Sequence, residues 1–218
     1  MKKTLLLTMA AVCGLLLVII LIGPFDFVAA AGPRAHVWTP LLFSVAHPED
    51  AYMSLDSNTA FYEGESLNYV MTPPGRFRMV THEAVNDGYS FAFIPEQAAY
   101  DSAEVLIGVN IYKIRQLSFD KVIENDTASL RTHYGKDVLM SEVDSVLTGT
   151  QDPVRTFYIN SPDRMLPNVM VAYLNGTTEL IIFELVVAPT ALRFEAEDKF
   201  IRCLRNVKML PKGELGMR

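Results

Sequence analysis

The chain has 218 residues, half of them hydrophobic, and a formal net charge of −6. Residues 32–218 hold 17 basic and 24 acidic side chains, so the part beyond the N-terminus is acidic. Such a surface lacks the basic footprint that phosphate contacts demand. Nucleic acid is therefore excluded as the expected partner, and docking onto anionic lipid by charge alone is disfavoured.

The first element is a targeting segment. Lys2 and Lys3 precede an uncharged run, Leu5 to Ile22, dominated by Leu, Val and Ile. A secretory apolar region spans roughly 7–15 residues and a membrane-crossing helix roughly 17–25. At 18 residues the run falls between them. After Gly23-Pro24 and Asp26 comes Ala29-Ala30-Ala31, which meets the small-x-small rule for cleavage after Ala30 or Ala31. The two lysines hold the N-terminus inside. Residues 1–31 thus read as a cleaved signal peptide or a retained anchor. Either way the rest is exported: inner-membrane anchored on the periplasmic side, or free in the periplasm. Cys13 follows Val12, and most of the apolar run lies after it. It reads as an apolar residue of the segment, since lipidation requires a small residue before the cysteine and the run upstream.

Residues 32–66 read as an irregular arm or linker, broken by Pro33, Pro40 and Pro48. Trp38, Leu41, Leu42 and Phe43 make the arm apolar enough to dock, on the domain's own core or on something else. The α+β domain is expected over 67–210. Leu67–Met71 and Phe77–Val80 are short strand candidates separated by Pro73-Pro74-Gly75. Tyr89–Ile94 alternates aromatic with small residues and stops at Pro95. Val105–Ile114 is a longer strand whose Gly108 signals a bulge or close packing.

Ser118 then offers a helix N-cap, with Asp120 in the first turn. Phe119, Val122, Ile123, Leu130 and Tyr134 recur near helical spacing, and Gly135 supplies the stop. Strands follow at Val138–Val143, Val154–Ile159, Val169–Leu174 and Glu179–Val187. Asn175-Gly176 between the last two predicts a hairpin with a type I′ turn, whose central residues both need positive φ. Pro189-Thr190 opens a second helix with Leu192, Ala196, Phe200, Cys203, Leu204 and Val207 on its buried side. Pro211–Arg218 reads as a tail. Strands covered by helices in this order make an antiparallel α+β domain.

Taken together, Tyr89-Ser90-Phe91-Ala92-Phe93-Ile94-Pro95, the Val105–Ile114 strand and the helix opening at Leu117-Ser118-Phe119-Asp120 resemble the Mog1/PsbP-like fold group, which includes small bacterial envelope proteins. The resemblance continues through the Tyr173–Leu180 hairpin and Phe194, Phe200, Ile201 and Leu204 to a short terminal strand, covering about residues 89–210. It implies an α/β/α sandwich and a non-catalytic role in protein binding or assembly. The chain departs from the lipoprotein members of that group in lacking a lipobox, and residues 32–66 have no counterpart there.

The sequence offers few groups for chemistry. Gly135, Gly149 and Gly176 stand alone, so no phosphate-binding loop is formed, and Gly64-Glu65-Ser66 lacks the second glycine of a nucleophile elbow. His36, His47, His82 and His133 show no helical pairing, and no cofactor or metal is expected. His82-Glu83 near Asp87, and His47-Pro48-Glu49-Asp50, read as surface polar residues before they read as acid–base or cation sites. Asp163-Arg164 and Glu197 with Arg202 read as solvated charge. Cys203, the one cysteine beyond the targeting segment, reads as core packing. Asn125-Asp126-Thr127 and Asn175-Gly176-Thr177 have the form of glycosylation sequons, set aside because the N-terminus looks bacterial. The leading expectation is a non-catalytic exported protein that binds a protein partner, tethered to the membrane if residues 5–22 are retained. A small-ligand or metal-binding module and an enzyme of unrecognised class are the alternatives.

Overall fold

A computed structural model describes residues 51–54, 58–114, 118–143, 146–160, 169–188 and 191–213. The targeting segment, His36, His47, Trp38 and Asp163-Arg164 lie outside these residues. The chain divides into a unit of residues 1–35 and a unit of residues 36–218, and all described residues belong to the second. No helix among them is long and apolar enough to cross a membrane.

Within the stretch expected to be irregular, Ala51–Ser54 (β1) and Thr59–Glu63 (β2) are strands, followed by Leu67–Met71 (β3). In β2, Ala60 and Tyr62 are buried and Glu63 is exposed, a period-two pattern too short to stand out among the neighbouring polar residues. Next come Phe77–Val80 (β4), the short helix His82–Asn86 (α1), Phe91–Pro95 (β5), a 3₁₀ turn at Tyr100–Ser102 and Val105–Lys113 (β6). Helix Phe119–Tyr134 (α2) starts as expected: Ser118 Oγ accepts from the Lys121 amide at 3.4 Å, and Gly135 ends it at φ 101°. Leu139–Glu142 (β7), Val146–Leu147 (β8), Pro153–Asn160 (β9), Val169–Asn175 (β10) and Glu179–Val187 (β11) complete the strand-rich stretch. Helix Arg193–Arg205 (α3) begins three residues after Thr190, with Leu192 at its N-cap. Lys208–Pro211 (β12) closes the chain, so the strand reaches one residue into the expected tail.

These strands form two antiparallel sheets. The small one runs β1-β2-β3-β12; the large one runs β4-β5-β6-β11-β10-β9-β7, with β8 also on β9. One face of the large sheet packs against the small sheet and α3: Phe91, Phe93, Ile107, Phe183 and Leu185 meet Tyr62, Tyr69, Met71, Phe200 and Leu204. The opposite face is covered by α2, whose Val122, Ile123 and Leu130 lie over Phe157, Val171, Tyr173, Leu180 and Ile182. Further along that face Ala84 and Tyr100 cover Ala92, Ile94, Leu106 and Val186. The domain is thus an α+β fold with helices on both faces of an antiparallel sheet. Strand β11 is buried along its whole length, which explains why Glu179–Val187 is nearly unbroken apolar sequence.

The β10–β11 hairpin forms, but its turn is not type I′. Neither Asn175 nor Gly176 has positive φ, and the Gly176 amide donates to the Glu179 carbonyl at 2.8 Å. Glycine serves there for closeness: a Cβ at 176 would sit 1.9 Å from the Tyr69 hydroxyl oxygen. Gly108 follows the same logic. Its register with Glu184 and Ala92 is unbroken, so there is no bulge, and the Tyr89 ring lies against its backbone.

Candidate functional site

Three groups of side chains stand out from the fold. The first lies between the two sheets. Glu179, fully buried at the start of β11, accepts from the Glu65 amide at 2.5 Å and from the Tyr69 hydroxyl at 3.0 Å. These bonds fasten the β10–β11 hairpin to the β2–β3 turn. Burial, then the Glu179 charge, push the Tyr69 phenol well up. A carboxyl group this enclosed and this well supplied with donors is a clamp between sheets.

The second group lies on the opposite face. Asp126 is 4% exposed and sits on the buried side of α2, between Ile123 and Leu130. Its neighbours across the interface are Tyr173 on β10 and Tyr112 on β6, with Glu184 of β11 acting on both phenols. Burial pushes the Asp126 carboxyl up to about 7, and the nearby Tyr173 hydroxyl draws it part of the way back. That pair stops short of a closed hydrogen bond. The Tyr173 ring is itself wedged by edge contacts with Phe119 and Phe157, at 6.4 and 5.9 Å between centroids. Burial and the charges of Asp126 and Glu184 raise Tyr112 as well. Beside this group, Glu184 accepts from the Tyr89 hydroxyl at 2.9 Å.

The third group is on the surface. At the start of α3, Leu192 is 70% and Phe194 82% exposed, the most exposed large hydrophobic side chains among the described residues. The turn that carries them is pinned from beneath. Glu197 accepts from the Tyr158 hydroxyl at 3.0 Å and from Arg193 Nε at 2.6 Å, while the Arg193 guanidinium lies 5.6 Å from the Tyr158 ring centre. A charge-assisted bond and a cation–π contact therefore hold the helix to β9 and leave Phe194 facing solvent.

The sequence-derived candidates fare differently. His82 and Glu83 are exposed on α1, while Asp87 accepts from the Tyr100 hydroxyl at 3.0 Å, so the three do not converge on one point. Glu197 and Arg202 do not pair; Arg202 joins Asp198 at 2.8 Å. Cys203 is fully buried, and burial pushes its thiol well up, which keeps it protonated and inert. Leu192, expected on the buried side of its helix, stands outside the first turn and is exposed. Of the sequons, Asn125 lies inside α2 and Asn175 ends β10. Among the described residues no cluster of His, Cys, Asp and Glu is arranged to hold a metal ion.

No family model matches the chain, and no curated protein matches it. Among solved structures it is similar to the solution structure of cyanobacterial PsbP (CyanoP) from Synechocystis sp. PCC 6803. The two are 12% identical over 64% of this chain and 85% of that one, with a TM-score of 0.43.

Proposed function

We propose that this chain is a non-catalytic binding protein of the cell envelope, directed across the membrane by residues 5–22 and engaging a protein partner through the start of α3. The observation that carries this reading is the exposure of Leu192 and Phe194 on a turn held rigid by Glu197, Arg193 and Tyr158. An aromatic side chain presented from a fixed backbone loses little freedom on binding, which is how a few residues come to dominate an interface. The acidic balance of residues 32–218 favours a protein partner over nucleic acid or an anionic membrane surface.

Site-specific photo-crosslinking in the full-length protein tests this. A photoreactive residue at position 194 should give a discrete adduct, identified by mass spectrometry as one protein. The same residue at position 124, on the exposed side of α2, should not give that adduct. Adducts of equal yield and identity from both positions, or lipid adducts alone from 194, overturn the reading. The N-terminal peptide from the same digest also reports whether cleavage occurs after Ala30 or Ala31.

A further inference from the structure

The underside of α2 carries a feature that protein binding at α3 does not use. Among its described side chains Val122, Ile123, Asp126 and Leu130 are buried, so a carboxyl group sits within an otherwise apolar stripe. The helix covers a continuous apolar layer that includes Phe157, Val171, Leu180 and Ile182. Its polar fastenings, near both ends and in the middle, are exposed or only partly buried. Asp120 meets Arg155 at 2.9 Å, Thr127 Oγ1 contacts the Met140 sulfur at 3.0 Å, and Arg131 Nε reaches the Val138 carbonyl at 3.5 Å.

We propose that α2 is a proton-controlled cover: it seats on the sheet with Asp126 neutral and loosens when Asp126 ionises, uncovering the apolar layer beneath it. The groups facing the carboxyl leave it little support when charged. Tyr173 on β10 offers one hydroxyl that stops short of a closed hydrogen bond. Tyr112 on β6 and Glu184 on β11 also lie on this face, and Glu184 carries negative charge toward the phenols. Arg155 on β9 is engaged by Glu142 on β7 and by Asp120. The charged residues of α2 itself, Asp120, Lys121, Glu124 and Arg131, are exposed. An ionised Asp126 therefore gains solvation chiefly when the helix lifts, because an unpaired buried charge is costly. Burial, which holds this carboxyl near 7, places the change in the range an exported protein meets.

The direction follows from linkage. A carboxyl group that binds its proton more tightly when buried than when exposed stabilises the seated state fully below its exposed pKa. That contribution is lost as pH rises toward the buried value. Hydrogen exchange of the full-length protein in detergent micelles, corrected for intrinsic rates, reads the opening directly. For peptides within 118–134, the opening constant should rise about tenfold per pH unit between about pH 4 and 7, then level off. Peptides within 105–113 and 179–187 should not follow. Asp126→Asn should make the α2 response flat. Tyr173→Phe removes the hydroxyl that favours ionisation, so the levelling-off should move to higher pH. Parallel loss of protection in α2 and the sheet overturns the proposal, as does an Asn variant with the wild-type pH response. If the Asn variant does not fold, Tyr173→Phe decides alone: an unmoved plateau overturns it.

Discussion

Glu179 and Asp126 are both almost wholly buried, on opposite faces of the large sheet. Glu179 meets a backbone N–H and a phenol at hydrogen-bonding distance, and the residues around it are shaped to allow this. Gly64 and Gly176 have no Cβ where one would collide with the Glu179 carboxyl group or the Tyr69 hydroxyl. Among the described residues Asp126 has no comparable set of donors, and the Tyr173 hydroxyl does not close the bond. Two carboxyl groups at similar depth therefore have opposite consequences. Where donors are built in, the acid joins elements; where they are not, it makes the interface depend on its proton.

The largest effect expected from this contrast is at Glu179. Glu179→Leu leaves the Glu65 N–H and the Tyr69 hydroxyl without their acceptor, so unfolding free energy should fall by about 3–5 kcal/mol. Glu179→Gln keeps one carbonyl oxygen and should lose less. Urea denaturation of the full-length chain at a fixed pH checks both, and a Leu variant as stable as wild type would break the comparison at its firm side. At Asp126 the sign is reversed. Its folded pKa of about 7 lies above the unfolded value of 3.8. Stability from this group is thus fully present below about pH 4 and gone above about pH 7, a loss of up to about 4 kcal/mol. Asp126→Asn should remove that slope and leave the protein more stable than wild type at pH 8. A wild-type slope in the Asn variant would show that another group controls it.

Much of this architecture is legible in the sequence. Short apolar runs bounded by turn residues mark β3 to β6 and β9 to β11, and Ser118 and Gly135 bracket α2, because those signals come from local backbone chemistry. Strands β1 and β2 escape because β1 has only four residues and β2 five, set among polar groups. Their pairing with β3 and of β3 with β12 is a long-range event that local pattern does not encode. The hairpin shows how a correct inference can rest on the wrong cause: Asn175-Gly176 does join β10 to β11, yet Gly176 is needed to admit Tyr69, a residue 107 positions earlier. Asp126 left one trace, since the apolar spacing of α2 skips the turn between Ile123 and Leu130. Its depth and its phenol neighbours depend on tertiary packing. Leu192 and Phe194 look like core residues by composition, and only the start of α3 at Arg193 turns them outward.

A smaller effect is expected where α2 meets the sheet edge. Arg155 forms a two-pronged bond with Glu142, at 2.8 and 3.1 Å, and a third bond to Asp120. The guanidinium holds the Glu142 carboxyl below its usual range, but the pair is largely solvated. Arg155→Ala should therefore cost only about 1 kcal/mol, and less at high salt. Its more telling readout is hydrogen exchange. If α2 is a separately seated cover, loss of its Asp120 contact should raise exchange in residues 118–134 at every pH without altering the pH at which the response levels off. A shift of that pH would show that Arg155 acts on Asp126 and would redraw the boundary of the acid-sensitive region.

The smallest effect on stability is expected at Phe194, where the largest effect on binding is expected. With the side chain 82% exposed, Phe194→Ser removes almost no buried area, and thermal or urea unfolding should move by less than about 0.5 kcal/mol. Glu197→Ala should behave differently. It removes the acceptor that Arg193 and Tyr158 share and loosens the turn while leaving Phe194 in place. If presentation on a rigid turn matters, crosslinking through position 194 should fall in both variants, with the fall in Glu197→Ala partly restored by Glu197→Gln, whose one carbonyl oxygen still accepts from either Tyr158 or Arg193. If only the apolar surface matters, Glu197→Ala should crosslink as wild type. The Glu197 pair therefore separates a preorganised binding turn from an exposed phenylalanine that happens to lie beside a salt bridge.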